Sequence, residues 1–118
     1  MEIEYVRSRF IKHFDGKTGN IYHSPGRINL IGEHTDYNGG FVFPGAVEQG
    51  IMAEVRPNGQ QTCNVYSIDL KDMVHFKIDD PKGPSATWAR YIYGVVQEMR
   101  ALGVDVKPFN AAFAGDVP

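Results

Sequence analysis

Apolar residues recur along the chain with two different periods, and each period predicts a different element. At the amino terminus Val6, Phe10, Ile11 and Phe14 stand at helical spacing, with Arg7, Lys12 and His13 left to face solvent, until Gly16 and Gly19 interrupt the pattern. This predicts an amphipathic first helix ending near Asp15. The stretches that follow favour the strand period. "IYHS" is short and β-prone, "FVFPGAVEQGIMAEV" is rich in β-branched and aromatic residues, and "TCNVYSI" and "VHFKI" alternate. Polar turns such as Pro57-Asn58-Gly59 separate the strands.

The helical period returns at Trp88, Tyr91, Ile92, Val95, Val96, Met99 and Leu102. Thr87 is the expected N-cap, Gly103 the expected stop, and the apolar stripe is expected to pack in the core. After Pro108, "FNAAFAGDVP" reads as one more strand and a turn. Helix, several strands, helix and strand, in that order, predict an α+β domain whose sheet is covered by helices on one side. No repeat, low-complexity tract or linker divides the 118 residues, so one domain is expected.

Composition narrows the partners. Apolar residues make up 42% and charged residues 22% of the chain, which suits a globular domain with a real core. Twelve Lys and Arg against fourteen Asp and Glu give a net charge of −2. No polybasic run is present to neutralise a phosphate backbone or anionic lipid, so nucleic acid and membrane are not expected partners. No apolar run approaches the ~18 residues of a membrane span, and "MEIEYVRSRF" lacks the flank and apolar core of a signal peptide. The single cysteine, Cys63, makes no internal disulfide and reads as a small buried hydrophobe. A cytoplasmic location is the expectation.

The chemistry is concentrated in "SPGRINLIGEHTDYNGG", Ser24 to Gly40, which carries Arg27, Glu33, His34, Asp36 and Tyr37 at spacings that fit neither one helix face nor one strand face. A merely solvated loop is one reading, but Ile28, Leu30 and Ile31 tie the segment to a core. A metal site is a second, though adjacent Glu33 and His34 converge poorly on one ion, and a hard-cation loop would alternate more carboxylates. Recognition of a polyhydroxylated small molecule is a third. A carboxylate accepts from two vicinal hydroxyls, histidine donates or accepts at another, and arginine holds a developing negative charge. A sugar fits this set best. Gly16-Lys17-Thr18 imitates the end of a P-loop, but Ile11 occupies the position where that motif needs its first glycine. Dinucleotide, nucleophile-elbow and zinc patterns are missing from the sequence.

"GRINLIGEHTDYNGG" resembles the galactokinase signature of the GHMP small-molecule kinase superfamily, which also holds homoserine, mevalonate and phosphomevalonate kinases. "SPGR", "FVFPGAVEQGI", "TWARYIYGVV" and "FNAAFAGDVP" resemble the corresponding stretches of bacterial galactokinases, so the resemblance covers essentially the whole chain. Ser24 departs from it, since such enzymes more often place a small apolar residue before Pro-Gly-Arg.

The resemblance implies a mixed β-sheet covered by helices, of the GHMP-kinase amino-terminal domain type but incomplete. It implies ATP-dependent phosphorylation of α-D-galactose to galactose 1-phosphate. Asp36 would accept from the hydroxyls at carbons 3 and 4, Glu33 and His34 would meet the hydroxyl at carbon 6, and Tyr37 would wall the pocket. Arg27 would be the transition-state stabiliser beside the anomeric hydroxyl. The resemblance further implies that residues 1–118 are the amino-terminal, sugar-binding part. The phosphate loop, the catalytic aspartate, the ATP and Mg ligands and the carboxy-terminal domain would then lie beyond Pro118. On that reading the chain alone is inactive, holds no nucleotide or metal, and self-associates through exposed strand edges. Two alternatives stay open: a kinase for N-acetylgalactosamine or a related sugar, and a non-catalytic galactose sensor.

Overall fold

The computed structural model describes residues 2–25 and 50–115. Helix α1 spans Ile3–His13, followed by strands β1 (Asn20–Pro25), β2 (Gly50–Pro57), β3 (Thr62–Ser67) and β4 (Asp72–Lys77), helix α2 (Thr87–Ala101) and strand β5 (Phe109–Gly115). The strands form one sheet in the order β1-β2-β5-β3-β4. Among the described residues only β3 and β5 pair in parallel and every other neighbouring pair is antiparallel, which makes the sheet mixed as expected. The turn at Pro57-Asn58-Gly59 does not close a hairpin, because β5 inserts between β2 and β3. Gly59 adopts a φ of 67°, and the Asn58 side chain accepts from the Gln60 N–H at 2.7 Å.

β5 is the centre of the domain, and its alternation decides where the helices go. Ala112 and Ala114 face one side and pack with Val6, Phe10 and Phe14 of the α1 region, Met52 and Ile68. Ala111 faces the other side, joining Cys63, Val65 and Phe76 in a second cluster against which Trp88, Ile92 and Tyr93 of α2 pack. The two helices therefore cover opposite faces of the sheet, not one side as the element order suggested. The physical reason is that β5 carries small apolar residues on both of its faces, so neither face is fit for water.

α1 ends close to the expected place, with Val6 and Phe10 wholly buried. Its sequence-predicted polar face needs correction. Arg7 turns inward to a buried partner, and the His13 ring stacks on Tyr66 with centroids 4.0 Å apart. α2 ends in a Schellman motif. Gly103, at a φ of 91°, donates to the Arg100 carbonyl, and Val104 donates to that of Met99, both at 3.0 Å. Thr87 is not the N-cap: the Ala86 carbonyl accepts the first helical bonds, from Ala89 and Arg90 at 3.1 Å, and no side chain caps the end.

The stripe on α2 is wider than the sheet can cover. Ala89 and Val96 are buried and Trp88, Ile92 and Tyr93 half-buried, whereas Tyr91 remains 75% and Leu102 83% exposed, with Val95 and Met99 also exposed. The expectation that the whole stripe is core thus holds for its sheet-facing half. Hydrogen bonds hold that half in place: Trp88 Nε1 donates to Asp72 at 3.0 Å, Gln97 to the Ile78 carbonyl at 2.6 Å, and the Tyr93 hydroxyl to the Asp80 carbonyl.

Candidate functional site

Three strand ends meet at one end of the sheet. β1 leaves at Pro25, β2 begins at Gly50, and these two residues are register partners. β5 ends at Gly115, the register partner of Ile51. β3, parallel to β5, finishes beside it, where the Ile68 N–H donates to the Phe113 carbonyl at 2.9 Å. The next residue, Asp69, accepts from the Gly115 N–H at 2.8 Å. A Cβ at Gly115 would meet Ile51 Cγ1 at 3.3 Å and the Gly50 carbonyl oxygen at 3.5 Å, so the end of β5 lies close against the start of β2.

Residues 26–49 start and finish at this end. Arg27, Glu33, His34, Asp36 and Tyr37 all lie outside the described residues, as do the carboxy-terminal "DVP" and the "FVFPGAVEQ" part of the expected strand region. The fold brings together the two points at which their segment joins the sheet: β1 and β2 pair in register from Asn20↔Val55 to Pro25↔Gly50.

Two polar constellations went unread in the sequence. Glu54, on the α1 face of β2, is wholly buried; it accepts from Arg7 Nε at 2.9 Å and from the Gly19 N–H at 2.6 Å. Arg7 also reaches the Gly19 carbonyl at 3.4 Å. The cluster joins α1, the loop entering β1 and the middle of β2, which is a structural clamp. Its only signal in the sequence was a glutamate in an otherwise apolar run.

The second constellation is at the opposite end of the sheet. Asn58 and Asn64 both donate to the buried Asn110 side chain, at 2.9 and 2.8 Å, and His75 shares a hydrogen bond of 2.6 Å with Asn64. These groups satisfy one another and fix the β2–β3 turn against the start of β5.

Cys63 is buried and free, as expected, and burial pushes its thiol above the ordinary value. Among the described residues no group of three His, Cys, Asp or Glu side chains is placed to hold a metal ion. No described helix is long and apolar enough to cross a membrane.

The family model of the galactokinase galactose-binding signature matches residues 8–57, a span that runs from α1 through β1 and the 26–49 segment to the end of β2. Among curated relatives, a galactokinase of Roseiflexus sp. (strain RS-1) is 40% identical over 113 residues, covering 96% of this chain and 29% of that protein. Along nearly its whole length the chain is similar to part of a galactokinase. A galactokinase of Clostridium perfringens (strain SM101 / Type A) is 34% identical over 122 residues, covering all of this chain and 32% of its own length. The crystal structure of Lactococcus lactis galactokinase complexed with galactose superposes with a TM-score of 0.72 at 27% identity, over 98% of this chain and 31% of that one. The chain thus spans about a third of the length of the galactokinases it matches, and its mixed sheet with two helices matches the amino-terminal domain of that fold.

Proposed function

We propose that the chain forms the galactose-binding part of an enzyme that phosphorylates the anomeric hydroxyl of α-D-galactose with ATP. The observation that carries this reading is the match of residues 8–57 to the galactose-binding signature, whose central segment begins and ends at paired strand ends. Asp36 accepts from the hydroxyls at carbons 3 and 4, Glu33 and His34 engage the hydroxyl at carbon 6, and Tyr37 walls the pocket. Arg27 stabilises charge as the phosphoryl group moves to the anomeric oxygen, a task that asks the protein for position and charge more than for covalent chemistry.

ATP is the phosphoryl donor on this reading, with magnesium as its counter-ion. The described residues do not fit a magnesium site, so no step is derived through the ion. The 118 residues are read as the sugar-binding part of a longer working unit that acts in the cytoplasm, and by themselves are expected to release no ADP.

An ADP-release assay on the complete reading frame tests the proposal, with galactose, glucose and N-acetylgalactosamine compared. Galactose is expected to support turnover best, and Asp36→Ala to lower kcat/KM about 10- to 100-fold, the worth of one or two charge-assisted hydrogen bonds. Galactose binding without ADP release would replace the enzyme by a sensor, and turnover only with N-acetylgalactosamine would move the specificity.

Self-association belongs to the same reading. Among the described residues β1 pairs only with β2 and β4 only with β3, and a strand with one free edge invites another chain. Light scattering on the 118-residue chain is expected to show a mass above 13.2 kDa that rises with concentration. A constant monomer mass across a hundredfold dilution would refute this.

A further inference from the structure

The bond from Gly115 to Asp69 ties together two parts of the chain that the strand ladder no longer holds. β3 and β5 pair as far as Ser67↔Phe113, and the Ile68 N–H to Phe113 carbonyl bond lies at the end of that ladder. β5 runs on to Gly115, flanked by Ile51 of β2 on one side. On the other side its last N–H is taken by a side chain, the Asp69 carboxylate at 2.8 Å. The turn that carries Asp69 is itself closed. The Ser67 hydroxyl accepts from the Leu70 N–H at 3.3 Å, and Lys71 takes a left-handed φ of 52° before β4 begins. Asp69 is exposed, so shortening it removes the bond without opening a cavity.

The position of this bond matters more than its strength. Gly115 lies against the start of β2: a methyl group there would be in ordinary contact with the Gly50 carbonyl oxygen at 3.5 Å and would press on Ile51 Cγ1 at 3.3 Å. Gly50 and Ile51 are the residues at which the 26–49 segment rejoins the sheet, opposite Pro25 and Ser24. Releasing Gly115 from Asp69 frees the end of β5 to draw away from that junction. Binding groups work only when their supports hold them to within about half an ångström.

We propose that Asp69 is a positioning residue for galactose binding: its carboxylate pins the end of β5 against the junction from which the sugar-binding segment departs and to which it returns. The inference rests on the reading of residues 27–37 as a galactose site.

The test compares the unaltered chain with Asp69→Ala and Asp69→Asn by amide hydrogen exchange and by NMR titration with galactose. In Asp69→Ala, exchange at Gly115 is expected to rise about tenfold, exchange in the β3–β4 ladder to stay unchanged, and the galactose Kd to weaken about tenfold. Asn keeps an acceptor oxygen at the same reach and is expected to restore both within about threefold. Unchanged Gly115 exchange in Asp69→Ala overturns the pinning role. A rise spread evenly over all five strands also overturns it, since that marks plain destabilisation. Unchanged galactose affinity with faster Gly115 exchange overturns the link to binding alone. If the unaltered chain does not bind galactose, the reading of the site fails first and the affinity claim falls with it.

Discussion

Glu54→Ala is expected to lower the stability of the domain by about 3–5 kcal/mol, the range found when one partner of a buried ion pair is removed. The carboxylate has no exposed surface, and both of its oxygens are engaged, one by Arg7 Nε at 2.9 Å and the other by the Gly19 N–H at 2.6 Å. Truncation leaves the Gly19 N–H without its acceptor, costing about 1–3 kcal/mol on its own, and leaves a cavity beside Met52 and Ala112. The Arg7 side chain is 31% exposed, so it can swing towards water, which sets the loss at the lower end of the range. Glu54→Gln keeps an acceptor for Gly19 but sets an uncharged amide against the guanidinium, and is expected to lose about half as much. Urea unfolding of both variants and of Arg7→Ala measures these losses, and the double variant gives the coupling. A midpoint shift equivalent to less than about 1 kcal/mol in Glu54→Ala would show that the clamp does not bear on the fold.

The clamp also shows where the sequence stops being legible. Periodicity located α1, β3, β4 and α2, because each buries a face whose spacing is local, as with Val6 and Phe10 on α1, Cys63 and Val65 on β3, and Trp88 and Ile92 on α2, while β1, β2 and β5 were read from residue type. What periodicity lacks is the pairing between distant segments. Arg7 read as solvent-facing because nothing within a few residues tells it that Glu54 lies above it. The insertion of β5 between β2 and β3 was hidden for the same reason, and with it the placement of the helices on opposite faces. The small residues at 111, 112 and 114 were a sign that both faces of that strand are close-packed. The sugar-binding reading, by contrast, came from residue types in "GRINLIGEHTDYNGG", and the signature match over residues 8–57 supports the family on that segment. Asp69 had no signal at all, since its partner is a backbone N–H forty-six positions away.

Gly19→Ala is expected to cost about 2–3 kcal/mol, although it adds a single methyl group in a partly exposed loop. A Cβ at this position would sit 2.4 Å from the Val55 carbonyl oxygen, 2.7 Å from its carbon and 3.1 Å from Arg56 Cβ. The first two obstacles are backbone and cannot rotate away. The chain would have to lift from β2 just before the Asn20↔Val55 pair, drawing the Gly19 N–H off Glu54 as it goes. The strain therefore spreads into the clamp, and the losses in Gly19→Ala and Glu54→Ala should not add: the double variant is expected to lose at least 1 kcal/mol less than the two single losses combined. Gly94→Ala supplies the contrast. It lies within α2 with nothing within 4 Å of the new methyl, so the better helix propensity of alanine should raise stability by about 0.5–1 kcal/mol. Thermal unfolding of the two glycine variants beside the unaltered chain decides the matter. Equal and small shifts in both would mean that the backbone of β2 yields to the methyl group at Gly19 and that the close approach there carries no structural weight.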